Sequence, residues 1–470
     1  MILTLLTGRL EPIRHSTCSF FWRTSMIKII LTIFAAAAFW GGTANAQVLV
    51  FENVNVIPMD RERLLEKQTV IIRDGRIAQI GPSSVIQVPA GALRVEASGK
   101  YLMPGIAEMH GHLPGSGSTR EFTEHILFLY VANGITTVRG MLGNPAHLAL
   151  RADVAAKRIL GPRLYVAGPP FSGSNATSAA VAETMVREQK AAGYDLLKLT
   201  EGIRPEVYLA IARAAREAGI DFAGHVPNAV GIRVAIAERQ RSIDHLDNYL
   251  DELEGDPQAA QRKIEELARL TRQSGVWNVP TMALWENYHG DRTGDQLRAA
   301  LPELRYMPRS TVEQWVRQKN SMLQTPGGMF MGFGVGSAAG ARVTGLRRKL
   351  LKGLHAAGAK IAFGTDSPQT FNVPGFSLHH EMQVMVASGL TSYDVLSSAT
   401  RNPAEYFGTL ADTGTVEQGK RADLLLLDAN PLLDVSNVAK RAGVVIHGQW
   451  LTRKEIEVRL ESLAAAAAKM

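Results

Sequence analysis

The chain has a single cysteine, Cys18, and it lies in the first 46 residues. The remainder therefore has no disulfide to form, a count that permits export without demanding it. Basic residues form no block. Formal net charge is +7, and part of it falls in residues 1–46, where Arg9, Arg14, Arg23 and Lys28 face only Glu11. The rest is scattered and no aromatics interleave with it, which argues against a nucleic-acid partner. The apolar run Ile29–Trp40 is too short to span a bilayer comfortably. No short-period repeat is present.

What is there is an ordinary globular composition, 46% hydrophobic and 20% charged over 470 residues, with ample length for a large core. The N-terminus reads as an export signal. Lys28, the apolar run and the Ala44-Asn45-Ala46 triplet before Gln47 are the three parts of a cleavable leader. Residues 1–46 are thus expected to be removed, with residues 1–25 a misassigned upstream extension if Met26 is the true start. A retained anchor is the alternative. The mature protein is expected to be exported, periplasmic or secreted, with no stable membrane span.

After Gln47, alternating segments flank Asp74-Gly75, a hairpin signal. At the far end "ADLLLLDANPL" and "RAGVVIHGQWLT" read as strands again. The two ends, residues 47–103 and 405–460, are expected to form one small composite β-sandwich. Between them, residues 104–404 alternate short apolar strands with helical stretches. The strands are "LMPGIAEMH", "GITTVRGM", "PRLYVAG", "YDLLKLT", "IDFAGHV", "RSIDHL", "VWNVPTM" and "KIAFGTD". "RPEVYLAIARAAREAG" and "AAQRKIEELARLTRQSG" each end in the glycine of a helix cap. Eight βα units point to an α/β fold, a (β/α)8 TIM barrel. The Ala-rich tail "ESLAAAAAKM" reads as a fraying helix.

In such a barrel the active site lies at the C-terminal ends of the strands. The first strand ends in His110 and His112, one residue apart and so on one face. The fourth ends in Lys198, the fifth in His225, the sixth in His245 and the eighth in Asp366. Each alone has a bland reading: a hydrogen-bonded histidine, a snorkelling lysine, a helix N-cap. Convergence on one rim points to a metal site.

The motifs "PGIAEMHGH", "DLLKLTEG", "FAGHVPN", "SIDHLDNY" and "FGTDS", with the tail "GTVEQGKRADLLLLDANPL", resemble the amidohydrolase superfamily. Residues 378–408 resemble the closing helices of its imidazolonepropionase-like and prolidase-like branch. The chain departs from the family pattern at Glu108, often Asp, and at Arg139-Gly140, often Arg-Asp. The resemblance implies two divalent metal ions, zinc by default. His110, His112 and Asp366 would bind the first, and His225 and His245 the second. Lys198, as a carbamate, would bridge them, and Asp366 would be the catalytic proton shuttle. It also implies hydrolysis of an amide-type C–N bond in a small molecule by metal-activated hydroxide. The bond could belong to a dipeptide, an N-acyl amino acid or a cyclic amide. An esterase, lactonase or phosphotriesterase on the same site is an alternative, as is a catalytically inactive binding protein. Oligomeric state is open, a homo-oligomer included.

Two weaker substrate-binding candidates remain. Arg139 is either a fork for a substrate carboxylate or half of an internal salt bridge. His379 either orients substrate or makes a structural hydrogen bond. The Gly-rich stretch 325–342 is expected to be a lid over the barrel mouth or a surface loop.

Overall fold

The computed structural model describes residues 48–253, 257–325, 329–330 and 333–470. The expected leader and its cleavage point lie outside the described residues. Strands Leu49–Val56, Leu65–Arg73, Arg76–Pro82, Leu93–Glu96 and Tyr101–Pro104 join Leu424–Leu427, Arg441–Ile446 and Gln449–Thr452 in one mixed eight-stranded sheet. The two ends of the chain meet where Tyr101–Pro104 pairs antiparallel with Leu424–Leu427. The hairpin forms where expected. Asp74 and Gly75 have φ of 53° and 72°, the two left-handed residues that a tight hairpin turn requires.

The run of four leucines shows how the sheet is held. Successive side chains point to opposite faces. Leu424 and Leu426 enter a core with Phe51 and Leu102, while Leu425 and Leu427 enter the main core with Met103 and Val131. Both faces are covered, so an unbroken apolar run is stable as a strand. Each buried leucine contributes about 1.5–3 kcal/mol.

Eight short strands within residues 106–361 build two parallel sheets. Ile106–Gly111, Ile135–Gly140 and Arg163–Val166 form one parallel sheet. Leu196–Leu199, Asp221–Gly224, Ser242–Asp244, Trp277–Val279 and Lys360–Ile361 form another. Parallel bridges Ala167–Leu196 and Phe171–Leu199 connect the two on one side. On the other side the Met109 N–H donates to Phe363 O at 2.9 Å, and the Asp366 N–H to His110 O at 2.8 Å. The arrangement is a TIM-barrel-like α/β fold. The eighth strand is shorter than its motif: the Ala362 N–H still donates to Asn278 O on the seventh strand, but the Phe363 N–H donates to Ser398 O outside the sheet.

Helices pack outside the strands. Pro205–Ala218 starts on proline and stops at the left-handed Gly219. Pro257–Ser274 buries Ala260, Ile264, Leu267, Ala268 and Thr271, the single stripe of an amphipathic helix. Between the seventh and eighth strands sits an insertion with the helices Met282–His289, Gly294–Ala300, Arg309–Gln324 and Ser337–Ala356. The Gly-rich stretch 325–342 departs from the expected loop. Met329–Phe330 pairs with Phe333–Gly334, and from Ser337 the chain is helical. The terminal helix, Arg453–Ala467, begins well before the Ala-rich tail, because Thr452 and Glu455 form a capping box. Among the described residues no helix is long and apolar enough to cross a membrane.

Candidate metal centre

The ends of five strands bring the six predicted residues to one place. His110 and His112 leave the first strand on one face, with ring centres 5.7 Å apart. The His245 ring lies 4.5 Å from His110 and 4.6 Å from His225. Asp366 Oδ1 is 2.9 Å from His112 Nε2 and 3.4 Å from His110 Nε2, and Oδ2 is 3.8 Å from His245 Nδ1. Lys198 Nζ is 3.3 Å from His110 Nε2.

Glycines make room for this crowding. A Cβ on Gly224 would lie 2.7 Å from Lys198 Cδ. One on Gly364 would lie 2.5 Å from Val279 Cγ1 and 2.9 Å from His110 N. Only a bare backbone admits the lysine and the close approach of the eighth strand. The backbone is also held in sparsely populated conformations, with φ of 62° at His245 and 61° at Asp366.

Three of the four histidines have a polar neighbour at Nδ1. His110 Nδ1 lies 2.7 Å from Asp244 Oδ2. His225 Nδ1 lies 2.7 Å from Asp247 Oδ2. His245 Nδ1 lies 2.8 Å from Thr281 Oγ1. The contacts of His225 and His245 are hydrogen bonds that fix which ring nitrogen is free, while the Asp244 carboxylate stands beside His110 Nδ1 as an ion-pair neighbour. Behind Asp244 stands Arg139, which donates from Nη2 to both carboxylate oxygens at 2.9 and 3.1 Å. Its Nη1 donates to Ser242 Oγ and Tyr406 Oη, each at 2.8 Å, and its Nε donates to Met109 O.

This settles the two weaker candidates. Arg139 is fully buried, with every face of its fork committed to protein acceptors. It is half of an internal salt bridge and has no donor left for a substrate. His379 is half-buried at the outer sheet, where its Nε2 accepts from Arg441 Nη1 at 3.1 Å. It makes the structural hydrogen bond and does not reach the barrel mouth. Glu381 accepts from the amides of Met282 and Ala283 and caps that helix.

Asp244, Asp247 and Thr281 were not picked out from the sequence. The available signal was a carboxylate, Asp244, directly before His245 at the end of the sixth strand. Glu108 belongs to the support as well. It accepts from the amides of His110 and Thr365 and from Thr365 Oγ1, tying the first strand to the eighth.

The residues fit a cation. Asp366 Oδ1 is buried and close to two imidazole nitrogens, yet it has no hydrogen bond. Burial, with the nearby Lys198 charge, pushes the His110 pKa well below its usual value, and burial with His110 does the same to His245. Neutral imidazoles are the form that ligates metal. His110, His245 and Asp366 form one group with ligand atoms close enough for an ion. Glu201, His225 and Asp247 form another.

A barrel-like fold with a histidine- and carboxylate-lined rim defines a class of metal-site hydrolases. The chain belongs to the amidohydrolase family, whose model matches residues 101–451, and is an enzyme acting on carbon–nitrogen bonds. It is 22% identical over 405 residues to an imidazolonepropionase of Maricaulis maris (strain MCS10), covering 82% of this chain and 94% of that protein. Its fold is similar to that of a bottromycin amidohydrolase, with a TM-score of 0.69, 23% identity and coverage of 89% and 90% of the two chains. A Xaa-Pro dipeptidase superposes with a TM-score of 0.63 at 19% identity, over 86% of this chain and 100% of that one.

Proposed function

We propose that the protein is an exported amidohydrolase that holds two divalent cations and cleaves an amide-type C–N bond of a small molecule. The substrate is a dipeptide, an N-acyl amino acid or a cyclic amide. One observation carries the reading. Asp366 Oδ1 is buried between two imidazole nitrogens without a hydrogen bond, with Lys198 beside them. That arrangement is costly unless a cation joins the donors.

His110, His112 and Asp366 would hold one ion, and His225 and His245 the other. Zinc suits imidazole and carboxylate donors. When bound, such ions supply Lewis acidity and bring the pKa of water toward neutrality. Burial lowers the Lys198 pKa, which favours the free amine. The amine lone pair can add to carbon dioxide, forming an N–C bond and releasing a proton. The product would be an anionic carbamate, whose oxygens would serve as ligands to the cations held there. Asp366 takes the proton of the attacking water and passes it to the leaving nitrogen, which departs poorly unless protonated. Asp244, backed by Arg139, keeps His110 Nε2 turned to the centre, and Asp247 and Thr281 orient His225 and His245.

Export rests on the leader pattern of residues 26–46. The activity is tested by screening the metal-loaded protein against libraries of dipeptides, N-acyl amino acids and cyclic amides. Turnover on members of one of these classes is expected. Hydrolysis confined to lactones or phosphotriesters would overturn the C–N assignment.

A further inference from the structure

Arg347 stands out against Arg139. It lies on the helix Ser337–Ala356 and is 2% exposed. A guanidinium carries five N–H donors and keeps its charge. Arg139 uses its whole fork. Among the described residues Arg347 makes one hydrogen bond, from Nη2 to the backbone oxygen of His245. Its Nε is buried without an acceptor. Asp247 and Glu381 act on it through space without forming an ion pair. Its charge rests over the Trp285 ring, 4.3 Å from the centre. Burying charged donors unfilled is unfavourable, so the geometry calls for an acceptor.

The place is beside the proposed chemistry. Arg347 lines a cavity with Glu201, Asn228, Asp247 and Trp285. Asp247 is the partner of His225, and Trp285 packs edge-on to the His245 ring at 6.0 Å. Three acids line it, Glu201, Asp247 and Asp251, and each already has a partner. Asp247 is held by His225, and Glu201 accepts from the Asn228 amide at 3.1 Å.

We infer that Arg347 anchors the carboxylate of the substrate, so that the enzyme selects dipeptides and N-acyl amino acids with a free C-terminus over their neutral amides. A carboxylate fills the fork with two charge-assisted bonds. In a closed, low-dielectric site, a donor pair built for an anion rejects the analogue that lacks it. Arg347 also steadies the His245 carbonyl, where φ is 62°, so its loss affects every substrate to some degree. The acid-to-amide ratio isolates the binding role. The choice of substrates rests on the C–N hydrolase reading; the anion site itself does not.

The test compares N-acetyl and N-glycyl derivatives of leucine, methionine and proline, as free acids and as primary amides. The wild-type, metal-loaded enzyme should favour the acids by about a hundredfold in kcat/KM, the scale of a lost charge-assisted pair. Arg347→Gln should collapse that ratio to near one, and Arg347→Lys should restore part of it. Acids and amides that fall together in Arg347→Gln, or a wild type with no acid preference, would overturn the inference. If neither series is hydrolysed, the dipeptide and N-acyl amino acid readings have failed, and calorimetric binding of N-acetyl-leucine against its amide decides the anion site. Acid binding lost in Arg347→Gln supports it. Equal binding of acid and amide, or none, refutes it. Thermal melts of both variants show that they are folded.

Discussion

Replacing Arg139 with methionine isolates the support beneath the centre. Arg139 and Asp244 are both fully buried. After Arg139→Met, Asp244 keeps Ser242 Oγ at 2.6 Å and His110 Nδ1 at 2.7 Å, but loses both bonds from the guanidinium. Removing one partner of a buried pair leaves an uncompensated charge and costs about 3–5 kcal/mol. Methionine restores the apolar volume, so little of that cost comes from a cavity. A second effect reaches the metal. With Asp244 no longer anchored, His110 loses its fixed orientation, and losses of support of this kind weaken metal binding about 10–100-fold. Urea unfolding of the metal-free protein reads the first effect, and competition with a chelator reads the second. Working metal-free matters, since a bound ion adds stability by mass action. Arg139→Lys keeps the charge but cannot span Met109 O, Ser242, Tyr406 and Asp244 at once, so it should fall between wild type and methionine. A methionine variant within about 0.5 kcal/mol of wild type and with unaltered chelator resistance would refute the reasoning.

Three further outcomes are expected. Lys198→Ala should lose metal and nearly all turnover, and a short carboxylic acid in solution should restore part by supplying the missing oxygens; full activity with two metals retained would remove the bridging role. Asp366→Asn should fold normally yet lose at least about a hundredfold in turnover on amides, with a smaller loss on activated esters or anilides. Near-normal turnover there would place the proton shuttle elsewhere. N-terminal sequencing of the protein from its natural host should find Gln47 first, and a chain still starting at Met1 or Met26 would exclude cleavage after Ala46.

Strand-end residues were legible because a barrel turns a linear order into a common rim. Once eight apolar segments are seen, His110, Lys198, His225, His245 and Asp366 must meet, whatever lies between them. Gly219 and Gly275 marked helix ends because each takes a left-handed conformation, with φ of 61° and 75°. Long-range charge pairing was not legible. Arg139 and Asp244 are 105 residues apart, and nothing local distinguishes a salt bridge from a substrate fork. The same limit applies to Arg347, whose closeness to His245 depends on how the insertion packs. Residues 337–342 read as flexible from Gly and Ala, but the helix they begin is held by packing rather than propensity.

Metal analysis of protein purified without chelator, in the presence of carbon dioxide, tests the central claim most directly. The account predicts two divalent ions per chain in the wild type, and a lower content in Lys198→Ala that rises again with an added short carboxylic acid. Wild-type protein that is folded and carries no divalent metal, even after incubation with zinc or manganese, would contradict it.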